Sequence, residues 1–218
     1  MPQKSSEIDL IDIDSAEGYT SFGVACHAQG QFEKAVAAYK SAISINSEDA
    51  KTHLNLGITY IAQGQMLEAV NALQKAIEIE PNNVSSYLNI GTIYISRGQL
   101  DEALSTFHRV IEISPNNANA HYNIGIAYID QGCLTEAITA LQKAIEIEPN
   151  NANALLNLGI AYANHGMLAE AIIAYKRAIL VNPKNSSENY NFETAYRAQG
   201  RLEEAIAAYR RKSTKATV

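Results

Sequence analysis

Residues 118–151 read ANAHYNIGIAYIDQGCLTEAITALQKAIEIEPNN, and this stretch decides the fold. Its landmarks are Gly125, Tyr128, Gly132, Ala137 and Pro149, and each recurs along the chain at a step of 34 residues. The first glycine is matched by Gly23, Gly57, Gly91 and Gly159, with Glu193 in the sixth place. The second belongs to an unbroken series of Gly30, Gly64, Gly98, Gly132, Gly166 and Gly200. Ala35, Ala69, Ala103, Ala137, Ala171 and Ala205 form a third column. Tyr60, Tyr94, Tyr128, Tyr162 and Tyr196 form a fourth, with Cys26 in the first repeat, and Pro81, Pro115, Pro149 and Pro183 a fifth. A fixed period held in independent columns is the mark of a repeat architecture, in which each repeat buries its apolar face against its neighbours.

The columns predict a helix–turn–helix hairpin per repeat. The Gly23 and Ala35 columns are small where two helices approach closely. The Gly30 series ends the first helix, at a place that often needs a positive φ. The prolines stop the second helix. Ser15, Asp49, Asn83, Asn117, Asn151 and Asn185 each precede a first helix, where a short side-chain acceptor caps it. This pattern of Gly, Tyr, Ala and Pro resembles the tetratricopeptide repeat (TPR) family over nearly the whole chain. The resemblance implies an all-α, right-handed superhelical solenoid. The organisation reads as an acidic segment over 1–15, repeats over 16–49, 50–83, 84–117, 118–151, 152–185 and a shortened 186–212, and a tail over 213–218.

Composition excludes other classes. Of the 218 residues 47% are apolar and 18% charged, enough apolar material for a core. No run of 18 apolar residues predicts a membrane helix, and Met1–Lys4 is not followed by the apolar stretch of a secretory signal. Two cysteines make no disulfide framework, which suits a reducing, cytoplasmic setting. The net charge of −6 speaks against nucleic acid as a partner. Charge is uneven: Glu7, Asp9, Asp12, Asp14 and Glu17 oppose only Lys4 at the start. Arg197, Arg201, Arg210, Arg211, Lys212 and Lys215 oppose Glu203 and Glu204 at the end. Opposite ends of this kind attract, within a chain or between chains. Residues 6–14 mix these acids with Ile8, Leu10, Ile11 and Ile13, a pattern open to a tail, a short helix or a segment that docks in a groove.

Helical phase locates the free face. With the first residue of a repeat as place one, places four, seven, eight and eleven form the core side, as in Tyr87, Ile90, Gly91 and Tyr94. Places two, five, six, nine, twelve and thirteen form the opposite face, which lines the concave surface in TPR proteins. Place six reads Ser21 and then Asn55, Asn89, Asn123, Asn157 and Asn191. An amide is both donor and acceptor, so such a ladder suits a peptide backbone. Asparagine ladders of this kind line TPR peptide grooves; the alternative is a consensus residue that ties neighbouring repeats. Leu54, Leu88 and Tyr122 at place five, Ile58, Ile126 and Ile160 at place nine, and Ile61, Ile95 and Ile129 at place twelve add apolar floor. The expected ligand is therefore a protein or peptide segment with apolar anchors. Glu17, Lys51, Ser85, Asn119, Asn153 and Ser187 at place two do not make the basic clamp of the chaperone-binding TPR class.

No other chemistry is expected. His53 and His121 share the large core-facing fourth place and read as packing residues, and no histidine pair has metal-ligand spacing. Cys26 reads as a small core hydrophobe, and Cys133 follows a turn glycine. The expectation is an adaptor or scaffold with no catalytic residues, cofactor or metal. The rivals are a scaffold that self-assembles head to tail, of the magnetosome-associated TPR type, and a non-catalytic subunit of a larger complex.

Overall fold

A computed structural model describes residues 14–182, 191–192 and 194–200. Residues 1–13 and 201–218, which carry most of the opposite charge of the two ends, lie outside these residues, as do Pro183, Asn185, Tyr190 and Glu193; Asp14, Glu17 and Arg197 lie within them. Among the described residues there are ten α-helices: α1 Ala16–Ala28, α2 Phe32–Ile45, α3 Ala50–Ala62, α4 Met66–Ile79, α5 Val84–Ser96, α6 Leu100–Ile113, α7 Ala118–Gln131, α8 Leu134–Ile147, α9 Ala152–Asn164 and α10 Leu168–Val181. A further helical stretch covers 191–192 and 194–200. The fold is all-α, of the TPR solenoid class. The chain divides into two compact units, Met1–Ile93 and Tyr94–Val218.

Local chemistry sets the ends of these helices. Ser15 Oγ accepts from the Gly18 amide at 3.0 Å. The Asn83, Asn117 and Asn151 side chains accept from Ser86, Ala120 and Ala154 at 2.9, 2.9 and 3.0 Å. Each bond satisfies a donor that the first turn leaves orphaned. At the other end Gly132 adopts φ 78, and the Cys133 amide then reaches back to the Tyr128 carbonyl at 2.9 Å. The same closure recurs from Gln31, Gln65, Gln99 and Met167. Gly200 departs from its series and stays helical. The proline column needs a second correction. Helix α2 stops at Ile45 and no proline follows, because Asn46 turns extended, with φ −136 and ψ 100. Proline reinforces a stop that the backbone also makes without it.

In the first unit α1 packs on α2, α2 on α3 and α3 on α4. In the second, α6 packs on α7, α7 on α8, α8 on α9 and α9 on α10. Within a hairpin the contact is a glycine against a large residue. A Cβ on Gly57 would lie 2.6 Å from Leu73 Cγ, and one on Gly159 would lie 2.4 Å from the Tyr175 ring. Ala35, Ala69, Ala103, Ala137 and Ala171 have no exposed surface, so this column too marks close helix approach.

Places three and ten, which the sequence pattern left unassigned, are among the most buried. Thr52, Thr59, Ser86, Ala120, Ala127, Ala154 and Ala161 are at most 1% exposed. They carry contacts between successive first helices. Thr20 Oγ1 and Thr52 Oγ1 are 2.7 Å apart, and His27 Nδ1 and Thr59 Oγ1 2.9 Å apart. A third correction concerns place seven. Leu56, Ile90, Ile124 and Leu158 are buried as expected, whereas Phe22 is 51% exposed.

Candidate functional site: the free face of the first helices

The predicted phase sets the site. Lys51, Ser85, Asn119 and Asn153 at place two are exposed, and so are Ala62, Ser96, Asp130 and Asn164 at place thirteen. Between these rims Asn55 and Asn89 in the first unit, and Asn123, Asn157 and Asn191 in the second, are half-buried. Leu54, Leu88 and Tyr122, Ile58, Ile126 and Ile160, and Ile61, Ile95 and Ile129 are half-buried too. In each unit the face thus offers partly exposed apolar side chains beside amides. Its residues at places five and twelve owe their partial burial to the next first helix, as the Thr20–Thr52 and His27–Thr59 contacts show.

The amides are not free on both sides. Asn89 Nδ2 donates to the Ser85 carbonyl at 2.8 Å, one turn back in its own helix. Asn157 Nδ2 donates to the Asn153 carbonyl at 2.9 Å and to Tyr122 Oη at 3.3 Å. A carbonyl only accepts, so these bonds fix the amide orientation and turn Oδ1 outward as an acceptor. The bond to Tyr122 ties one repeat to the next, which is part of what the alternative reading of the ladder expected. Tyr122 keeps its proton, because burial pushes its pKa up. A neutral hydroxyl in that place still donates. In the first unit Val24, His27, Tyr39, Asn55 and Ile58 line a small hollow of ≈ 80 Å³ on this face.

Larger crevices open elsewhere, and sequence reasoning missed them. They lie between successive second helices: ≈ 460 Å³ between α2 and α4, ≈ 750 Å³ between α6 and α8 and ≈ 370 Å³ between α8 and α10. Their walls carry solvated charge, such as the Lys75–Glu78 and Lys143–Glu146 pairs at 2.7 and 3.0 Å. The register could have found them, since places 19, 22 and 26 of the second helices recur there. His108 and His121 both line the ≈ 750 Å³ crevice.

The histidines at place four are anchors. His53 Nε2 lies 3.0 Å from the Ser47 carbonyl and His121 Nε2 3.0 Å from the Pro115 carbonyl, so each carries its proton on that nitrogen. The Tyr87 hydroxyl makes the same bond to Pro81 at 3.3 Å. Each ties a first helix to the loop before it. Cys26 is buried and Cys133 half-buried, and both are free thiols.

The family model of the C-terminal domain of cilia and flagella-associated protein 70, a TPR domain, matches residues 11–217. The chain belongs to this family of TPR proteins. No curated protein matches the sequence. Among solved structures, MamA is 27% identical over 78% of this chain and 92% of its own, with a TM-score of 0.69. YrrB, described as a TPR protein with an unusual peptide-binding site, is 24% identical over 82% of this chain and 92% of its own, at a TM-score of 0.66. A thermophilic TPR protein of Thermus thermophilus is 21% identical over 83% of this chain and 98% of its own, at 0.65. The last two likenesses speak to fold alone. Together with the family match, the likeness to MamA places the chain among TPR proteins. Among the described residues no helix is long and apolar enough to cross a membrane.

Proposed function

We propose that the chain is an adaptor or scaffold that holds a segment of a protein partner along the free face of its first helices and works by binding, without catalysis. The observation that carries this reading is the register of Asn55, Asn89, Asn123, Asn157 and Asn191 beside half-buried leucine, isoleucine and tyrosine. Asn89 and Asn157 present Oδ1 outward, suited to backbone N–H groups of a bound segment. Leu54, Leu88 and Tyr122, with Ile61, Ile95 and Ile129, receive its apolar side chains. The two free thiols suit a cytoplasmic setting. The test compares wild type with Asn89→Ala, Asn123→Ala and Asn157→Ala combined. Capture of partners from native lysate should fall, followed by a loss of about 0.5–1.5 kcal/mol per contact against the isolated partner. Unchanged affinity with a large drop in melting temperature would assign the ladder to repeat–repeat bonding instead.

A further inference from the structure

The Thr59 hydroxyl sets the state of an imidazole on the free face of the first unit. Thr59 Oγ1 donates to the Asn55 carbonyl at 2.8 Å, which commits its one proton. His27 Nδ1 lies 2.9 Å from the same oxygen, so Nδ1 carries the hydrogen and donates. Thr59 has no exposed surface, so water does not compete for that bond. The neutral ring then keeps Nε2 as a bare acceptor. His27 holds place twelve, where Ile61, Ile95 and Ile129 stand in the next three repeats. It puts an acceptor where those repeats offer only hydrocarbon.

Asn55 departs from its column as well. The Asn89 and Asn157 amides are tied back to carbonyls one turn earlier. Among the described residues the Asn55 amide makes no such bond, and His27 Nε2 has no partner. Both residues line the hollow of ≈ 80 Å³, whose other walls are Val24, Tyr39 and Ile58. Burial pushes the Tyr39 hydroxyl up, against a smaller opposite pull from the Thr59 hydroxyl, so Tyr39 keeps its proton. With the imidazole neutral, the hollow holds no charge.

Size and chemistry narrow the occupant. Water takes up about 30 Å³ per molecule in the liquid, so the hollow accepts about two or three non-hydrogen atoms. Serine, threonine and valine side chains are of that size, whereas leucine, the amides and aromatic rings are larger. Valine would leave both Nε2 and the Asn55 amide unpaired. A site built around hydrogen bonds rejects an analogue that lacks the matching group.

We propose that this hollow is the subsite for a serine or threonine side chain of the bound segment, its hydroxyl donating to His27 Nε2 and accepting from Asn55 Nδ2. The proposal rests on the free face being the binding face. It makes His27 the residue that reads one polar position in a segment otherwise held by apolar anchors.

The probe is a displayed library of short random peptides, selected in parallel on wild type and on His27→Ile. Peptides enriched by wild type should carry serine or threonine at one fixed place among apolar residues. Selection on His27→Ile should keep the apolar pattern and lose the hydroxyl. With the best synthetic peptide from the wild-type selection, exchange of that residue for valine should weaken binding to wild type about threefold to tenfold, and to His27→Ile hardly at all. Nitrogen-15 spectra of free wild type in mildly alkaline solution, with His27 assigned by its missing signal in the variant, should show Nδ1 protonated and Nε2 bare. The spectra and the peptide exchange on wild type carry the test if His27→Ile folds poorly. A protonated Nε2, equal affinity of wild type for the hydroxyl and valine peptides, or an equal loss in both chains overturns the proposal and leaves the binding face standing. If wild type enriches no peptide, the binding-face reading falls and the subsite with it.

Discussion

Gly125→Ala, Leu141→Ala and the two combined test whether glycine–large-residue contacts hold the hairpins together. A Cβ on Gly125 would lie 2.5 Å from Leu141 Cγ and 2.9 Å from Cδ2, closer than carbon atoms pack. Leu141 has no exposed surface, so it cannot swing outward. Overpacking of this kind costs about 1–3 kcal/mol. Replacement of a helical glycine by alanine returns about 1 kcal/mol of propensity. The single change should therefore lose up to about 2 kcal/mol. Leu141→Ala alone should lose about 2–5 kcal/mol through its cavity. In the double variant the clashing atoms are gone, the new methyl occupies part of the cavity, and the propensity gain remains. The double loss should then fall short of the sum by about 1–3 kcal/mol, and the double variant should be more stable than Leu141→Ala. Urea unfolding followed by helical circular dichroism measures all four corners of the cycle. Additivity within about 0.5 kcal/mol would refute the contact, because independent sites add to that precision.

Three further expectations follow from other positions. Ala103→Leu should lower the urea midpoint far more than Ala163→Leu, because Ala103 has no exposed surface whereas Ala163 is half-buried at a place where three repeats carry isoleucine; equal losses would show the helical phase to be wrong. His121→Tyr should be nearly neutral and His121→Ala should lose about 0.5–1.5 kcal/mol, since Tyr87 already makes the equivalent bond; a costly tyrosine would deny the anchoring role. Burial pushes the Tyr175 hydroxyl up to about 12 from 10.0, so the folded state keeps its proton longer than the unfolded chain. The stability linked to it is intact below the unfolded value and is lost as pH climbs from about 10 to about 12. Tyr175→Phe should flatten that alkaline decline in melting temperature, and an unchanged slope would contradict the burial of the hydroxyl.

Much of the fold was legible because its decisive contacts are local and periodic. Ser15, Asn83, Asn117 and Asn151 cap the helices they precede, and five of the six glycines in the Gly30 series take positive φ. Each of these roles is satisfied within a few residues, so one repeat spells it out and the next confirms it. The free face was equally legible, because 3.6-residue periodicity separates exposed from covered places before any packing is known. Tertiary structure decided what depends on a neighbouring repeat. Thr52 and Thr59 look like ordinary polar helix residues, yet contact with Thr20 and His27 of the helix one repeat earlier buries them. Asn157 fits a ligand-facing ladder by register, but only the placement of Tyr122 in the previous repeat commits its second N–H. Phe22 shares its place with Leu56, Ile124 and Leu158 and differs only in what lies in front of it. A periodic pattern states what each repeat presents to its neighbours, and burial follows only where a neighbour is there to meet it.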